Sequence, residues 1–182
     1  MYSLRFFFEM SAGTILFLLL GAGFLIVNGD NITKFEKIVR NKIAGLIIAL
    51  PALAACVPHA QIVAPGILQS PFILWPLAIA IPVLCYFYID YYTARAAAGA
   101  IIVLAYDLIH YAYDERLPGA AIMTIAAWLF GFAAIWASGK PHALRDWFRK
   151  AADNPIFART AAIFSFCSGI CFIAAIIGWI MR

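Results

Sequence analysis

The residues best placed to do chemistry lie in the stretch 94–115, ARAAAGAIIVLAYDLIHYAYDE, where Asp107 and His110 interrupt a segment otherwise suited to lipid. An acid or an imidazole at membrane depth costs roughly 2.5 kcal/mol or more on insertion scales, so such groups face a bundle interior and generally serve a function. At helical spacing Asp107, His110, Tyr111 and Asp114 fall at i, i+3, i+4 and i+7, on one face. Tyr106 adjoins that face. Three kinds of chemistry fit it: handling of protons or a small solute, a hydrogen bond from Asp107 to His110 or a tyrosine that fixes helix packing, or a metal or catalytic role. Glu9 and His59 complete the candidate set, because the topology derived below puts them in the same half of the molecule.

The elements that must position these residues are membrane helices. Of 182 residues 65% are hydrophobic and only 12% charged, and the mean hydropathy is +0.93, whereas a soluble domain is about 25% charged. The long apolar runs approach or reach the ~20 residues that carry a helix across ~30 Å of hydrocarbon. No alternation of the kind a transmembrane barrel needs is present. The expected fold is an all-α integral membrane protein, a single polytopic domain over 1–182 with six spans and two amphipathic links. Nothing in the pattern points to nucleic acid, and the net charge of +4 is small.

The first span covers 6–28, after Arg5, with Glu9 near its start. Residues 31–42, NITKFEKIVRNK, set Thr33 and Glu36 at capping-box spacing and gather Lys34, Lys37, Arg40 and Lys42 around an apolar stripe. They should lie on the membrane surface and supply the missing length of the second span, 43–57. Residues 58–71 lack Lys and Arg and read as an irregular link. The third span, 72–92, contains Pro76 and Pro82, which permit kinks, and ends in a belt formed by Tyr86, Tyr88, Tyr91 and Tyr92 beside Asp90. The fourth span follows after so short a link that the two must form an antiparallel hairpin, with Ala96, Gly99 and Ala100 permitting close approach. The fifth, 120–138, has Ala127 and Gly131 in small-xxx-small spacing. A second basic amphipathic link, with Leu144, Trp147 and Phe148 among Arg145, Arg149 and Lys150, leads to the sixth span at Pro155.

Charge sets the direction. Ten of the thirteen basic residues (Lys34, Lys37, Arg40, Lys42, Arg95, Lys140, Arg145, Arg149, Lys150 and Arg159) fall on the links after spans one, three and five, and Arg5, Arg116 and Arg182 fall on the other side. The positive-inside rule then places both termini on the outer side and both amphipathic links in the cytoplasm, where anionic headgroups are the expected partners. The localisation expected is a bacterial plasma (inner) membrane.

Other motifs assign little. Cys56, Cys85, Cys167 and Cys171 occupy apolar segments without CxxC spacing and read as packing residues. No HxxxH or HExxH pattern accompanies His59 or His110, so no metal, cofactor or catalytic residue is assigned. Tyr106-Asp107 and Asn28-Gly29-Asp30 resemble elements of intramembrane aspartyl proteases, but in reverse order and near opposite faces. IDYYTARAAAGA is similar to part of the phosphatidyl-transferase signature, without its Asp-Gly and later acids. In topology, and in LIVNG at the end of the first span, the chain resembles the urea/amide channel family, which would imply a six-helix pore. The sixth span, TAAIFSFCSGICFIAAIIGWI, lacks the glutamate and tryptophan pattern of that family's pore.

The expectation from the sequence is a channel or transporter for a small solute or protons, with a path lined by the third and fourth spans. The alternative is a non-catalytic membrane subunit that binds a partner in an oligomer or larger complex. A membrane-embedded enzyme is the third reading.

Overall fold

In the computed structural model, residues 2–140 and 142–181 are described; Arg182, counted in the charge balance, lies outside them. The elements are helical throughout: α1 (Tyr2–Ile26), α2 (Ile32–Arg40), α3 (Lys42–Val63), a 3₁₀ turn (Gly66–Gln69), α4 (Pro71–Tyr88), α5 (Tyr92–Asp114), α6 (Ala120–Gly139), α7 (Ala143–Asp153) and α8 (Pro155–Ile180). Six of these, α1, α3, α4, α5, α6 and α8, are long and apolar enough to cross a bilayer, so the architecture is that of a multi-pass membrane protein.

Two helix pairs form the frame, and small residues make both possible. α1 packs on α8, and a Cβ added at Gly13 would lie 2.6 Å from the Phe172 ring, or at Gly21 2.7 Å from Phe166. Each glycine is therefore the space that a ring of α8 fills. α5 packs on α6 through fully buried Ala127 and through Gly131, whose added Cβ would touch the Ala105 methyl at 3.4 Å. The small-xxx-small spacing of the fifth span is thus an observed helix contact. Between the pairs lies a core of Phe6, Met10, Phe17, Leu108, Phe130 and Phe172.

α3 packs on α5, and α4 leans on α3 from outside. This corrects the expected hairpin of the third and fourth spans. They are joined by a short link and meet near it, where Tyr92 Oη donates to the Pro82 carbonyl at 2.9 Å and Cys85 and Tyr86 pack on the cluster of Ala49, Tyr92 and Ala96. The aromatic belt is divided accordingly: Tyr92 is buried at the start of α5, while Tyr88 is exposed at the end of α4. Tyr91 turns the chain in a left-handed conformation, φ 56°. Its ring is held by Arg145 Nη1, which donates to its hydroxyl at 3.2 Å, and by the Arg40 guanidinium 5.5 Å from its centroid.

The second span also departs from expectation. It extends forward to Val63, through Pro51 and Pro58, instead of backward through the basic segment. Asn41 is the reason: its side chain accepts from the Ile43 and Ala44 amides at 2.9 and 3.3 Å, capping α3 and separating it from α2. The prolines remain helical, as neighbouring helices commonly allow in membranes. The expected irregular link over 58–71 is therefore cut by half, to residues 64–70, which form a 3₁₀ turn and its flanks, while 58–63 belong to α3 and Pro71 opens α4. The capping box is likewise absent, since α2 begins at Ile32 after Asn31. Asn28 and Asn31 instead each accept, through Oδ1, the other's backbone N–H, at 2.8 and 3.0 Å.

α2 and α7 lie together at the end opposite the termini, packed on the ends of α1, α5 and α8 through Phe24, Val39, Phe148 and Ala162. Phe35 meets Phe148 at 5.2 Å and Trp147 stacks on Trp136 of α6 at 5.3 Å. Much of their apolar surface is thus spent on protein contacts. Glu36 and Arg149 join the two helices as an ion pair.

Candidate functional site

The site is built where α1, α3 and α5 converge near the termini. Asp107 is 1% exposed, and its Oδ1 lies 2.9 Å from Nε2 of His59 on α3. The same Nε2 lies 2.9 Å from Nη2 of Arg5 on α1. Arg5 Nη2 also donates to the Ala55 carbonyl at 3.0 Å, and its Nε donates to Glu9 Oε1 at 2.5 Å. Glu9, 4% exposed, accepts from the Tyr111 hydroxyl through Oε2 at 3.0 Å. Five side chains from three helices therefore form one continuous chain of polar contacts: Tyr111, Glu9, Arg5, His59 and Asp107.

Local sequence explains how the helices present these groups. Arg5 and Glu9 stand four apart, one helical turn, so the guanidinium folds onto the carboxylate and carries it into the bundle. Pro58 has no N–H, which leaves the Ala54 carbonyl four residues earlier without its helical donor. The Ala55 carbonyl beside it accepts from Arg5. Asp107 and Tyr111, also four apart, place both partners on the side of α5 that α1 and α3 cover. Phe6 braces the Tyr111 ring edge-on at 4.9 Å.

The expected pairing of Asp107 with His110 is not what the structure shows. His110 points away from the cluster; its side chain is 56% exposed and lies 3.2 Å from Asp114, itself 61% exposed. At about 100° per residue, Tyr111 lies some 40° to one side of Asp107 and His110 some 60° to the other, and only the first side is covered. Asp114 ends the helix, beyond the covering elements. Tyr106 is half-exposed, stacked on His110 at 5.4 Å and edge-on to His59 at 4.7 Å, so it flanks the site without joining the polar chain. Of the expected residues, Glu9, His59, Asp107 and Tyr111 come together, while His110 and Asp114 do not. Arg5 was missed as a member; its signal was the i, i+4 spacing to Glu9.

Beside the cluster runs a groove of about 370 Å³ between α1 and α3, floored by α5. Glu9 and Asp107 lie at the end nearer the termini, and Leu19, Ile47 and Ala100 at the other. Phe8, Ile15, Leu19 and Ile47 on its rim are exposed, so the groove opens sideways, toward surrounding lipid. α1 and α3 do not pack along their length, and Arg5 bridges them. A second, apolar cavity of about 410 Å³ lies between the two helix pairs near α7, lined by Leu20, Ile101, Trp147 and Ser165 among others. α4, expected to line the path, contributes to neither cavity.

No family model matches the chain, and neither a curated protein nor a solved structure does. The LIVNG likeness to urea/amide channels is local, and its Asn28 serves the reciprocal turn with Asn31. Asp30, the second acid of the protease-like pair, is exposed at the far end of α1 from Asp107, so no carboxylate pair forms there. Among the described residues no three His, Cys, Asp or Glu side chains converge as metal ligands.

One atom in the cluster stands out. Asp107 Oδ2 is buried and has no hydrogen-bond partner among the described residues. An unsatisfied buried acceptor costs about 1–3 kcal/mol, more where it is charged. The geometry around Nε2 is equally constrained. A guanidinium N–H only donates, and one imidazole nitrogen either donates or accepts. With a proton, Nε2 donates to Asp107 and has nothing to offer Arg5. Without one, it accepts from Arg5, and Asp107 keeps this contact only by carrying the proton itself.

Proposed function

We propose that the protein is a small multi-pass membrane transporter that moves protons, alone or with a small solute, using the Arg5–Glu9–His59–Asp107–Tyr111 cluster. The observation that carries this reading is the shared position of His59 Nε2, 2.9 Å from both Arg5 Nη2 and Asp107 Oδ1. The location of one proton selects whether α3 is held to α1 through Arg5 or to α5 through Asp107. Because Arg5 bridges the α1–α3 groove, that choice alters half of the bridge, leaving the Ala55 bond. A proton-selected contact between helices is a two-state element of the kind switching requires. The path runs along α1, α3 and α5, the first, second and fourth spans, without the third that was expected to line it. Both termini, and with them the cluster, are assigned to the non-cytoplasmic side on the charge balance of the links.

Reconstitution in liposomes containing a trapped pH-sensitive dye tests the reading. An imposed pH gradient should relax through the wild-type protein, and Asp107→Asn and His59→Gln should abolish the flux while remaining folded. Undiminished flux through folded Asp107→Asn overturns it.

A second reading, a membrane subunit docking to a partner, is favoured by α4. That helix carries no charged residue, packs chiefly on α3 and the 3₁₀ turn, and exposes Phe72, Trp75, Phe87 and Tyr88. Loss of a co-purifying partner on Trp75→Ala, with proton flux absent from the isolated protein, would favour it.

A further inference from the structure

We infer that the α1–α3 groove is a binding site for an amphipathic organic cation, a protonated alkylamine in chemical class, whose ammonium group bonds Asp107 Oδ2 while its apolar body lies along α5. The inference rests on the reading of this cluster as a transport site and names what is carried.

Three observations converge on it. The first is the wall: Glu9 and Asp107 are the ionisable side chains among the residues lining the groove, and the rest, Phe8, Leu16, Ile48, Ala52 and Val103 among them, are apolar. A molecule seated there meets hydrocarbon along its length and carboxylates at one end. Its volume, about 370 Å³, sits at the lower end of the range typical of small-molecule sites.

The second is which oxygen lacks a partner. Glu9 is satisfied on both sides, by Arg5 and by Tyr111. Asp107 Oδ1 faces His59, whereas Oδ2 is buried without a partner among the described residues. A ligand that donates an N–H to Oδ2 completes the set, and a ligand that only accepts cannot.

The third is charge. With both carboxylates ionised, Arg5 supplies one positive charge against two negative ones, and neutral His59 leaves the cluster at −1. A monocation brings it to zero, which is the state a low-dielectric interior favours. A proton on Asp107 does the same, so alkylammonium and proton compete for one carboxylate. The groups facing Asp107 from the packed helices are Arg5 and Glu9 of α1, Cys56 and His59 of α3, and Tyr111 of α5. Such competition is the condition for exchanging one for the other. The sideways opening offers a route from the bilayer, where an amphipathic amine partitions.

The full chain in phosphatidylcholine nanodiscs, labelled with an octylamine that bears a diazirine at its tail, tests the site. Cross-links should map to α1, α3 and α5 between Leu19, Ile47 and Val103, and unlabelled octylammonium should suppress them at least tenfold while octanol and octanoate do not. Asp107→Asn should lose labelling at least tenfold. Ala52→Trp, which fills the groove and leaves Asp107 in place, should lose it as well, with thermal unfolding of both variants showing that they are folded. Competition by octanoate or octanol equal to that by octylammonium, or wild-type labelling of folded Asp107→Asn, would show a groove filled by ordinary lipid and overturn the assignment. If proton flux depends on Asp107 but octylammonium neither labels nor alters it, the amine site fails and the transporter reading stands.

Discussion

Asp107 Oδ1 lies 2.9 Å from Nε2 of His59, a residue 48 positions earlier on a different helix, and this contact rather than any neighbour on α5 defines the site. Among the described residues, it joins the most deeply buried acid to a histidine that also meets a guanidinium.

His110 should therefore be dispensable. His110→Ala removes an exposed side chain that pairs with exposed Asp114 and stacks on half-exposed Tyr106, and should change stability by no more than about 0.5 kcal/mol. It should leave proton flux unchanged. A loss of flux comparable to that of Asp107→Asn would return His110 to the site.

Arg5 should be among the residues least tolerant of single substitution. Glu9 is the buried partner of a pair whose Arg5 side chain is 28% exposed; removing one partner of a fully buried pair costs about 3–5 kcal/mol, an upper bound here, and Arg5→Leu should lower the unfolding midpoint in detergent. The double variant Arg5→Leu/Glu9→Leu should recover much of the loss, because no unpaired charge remains at position 9. A double variant as unstable as the sum of the single ones would remove the pairing argument.

The α1–α8 contact should fail when Gly13 gains a side chain. Gly13→Val puts methyls into the Phe172 ring, and overpacking of this kind destabilises by about 1–3 kcal/mol. Phe172→Leu in the same protein should restore part of that stability. A thermal melt of the single variant identical to wild type would show that α1 and α8 are not apposed there.

The clamp between α2 and α7 should be acid-sensitive. The Arg149 guanidinium bonded to Glu36 holds that carboxyl below its ordinary value of 4.5. A carboxyl depressed on folding contributes stability above its unfolded value, and the contribution fades as pH falls through the folded value. The pair is partly exposed and worth about 0.2–1 kcal/mol. Spin labels at Lys37 and Lys150 should report a broader distance distribution at pH 3 than at pH 7, and Arg149→Gln should be broad at both. An unchanged distribution at pH 3 would discount the ion pair as the clamp.

Topology is open to direct measurement. A reporter active only in the cytoplasm, fused to the C-terminus, should be silent, and the same reporter inserted after Asp153 should be active. The reverse pattern would invert the assignment.

How far these features were legible in the sequence depends on the range of the forces involved. Hydrocarbon thickness and backbone hydrogen bonding require apolar helices of about twenty residues, and composition alone therefore announced six spans, the start of α8 at Pro155, and Asp107 as a buried acid. Local spacing also revealed the Ala127–Gly131 contact surface, since one helix face is a property of one segment. Partners were another matter. Whether Asp107 meets His110 or His59 depends on which side of α5 is covered by α1 and α3, and in lipid no difference in hydrophobicity between faces records that choice. The same holds for α4, whose uniform apolar surface does not say that it rests on α3 instead of α5. The forward extension of α3, which carries His59 to the site, follows from the Asn41 cap and from prolines that only a packed helix tolerates. The sequence by itself determined that a charged group would be buried; the tertiary structure alone decided what it was buried against.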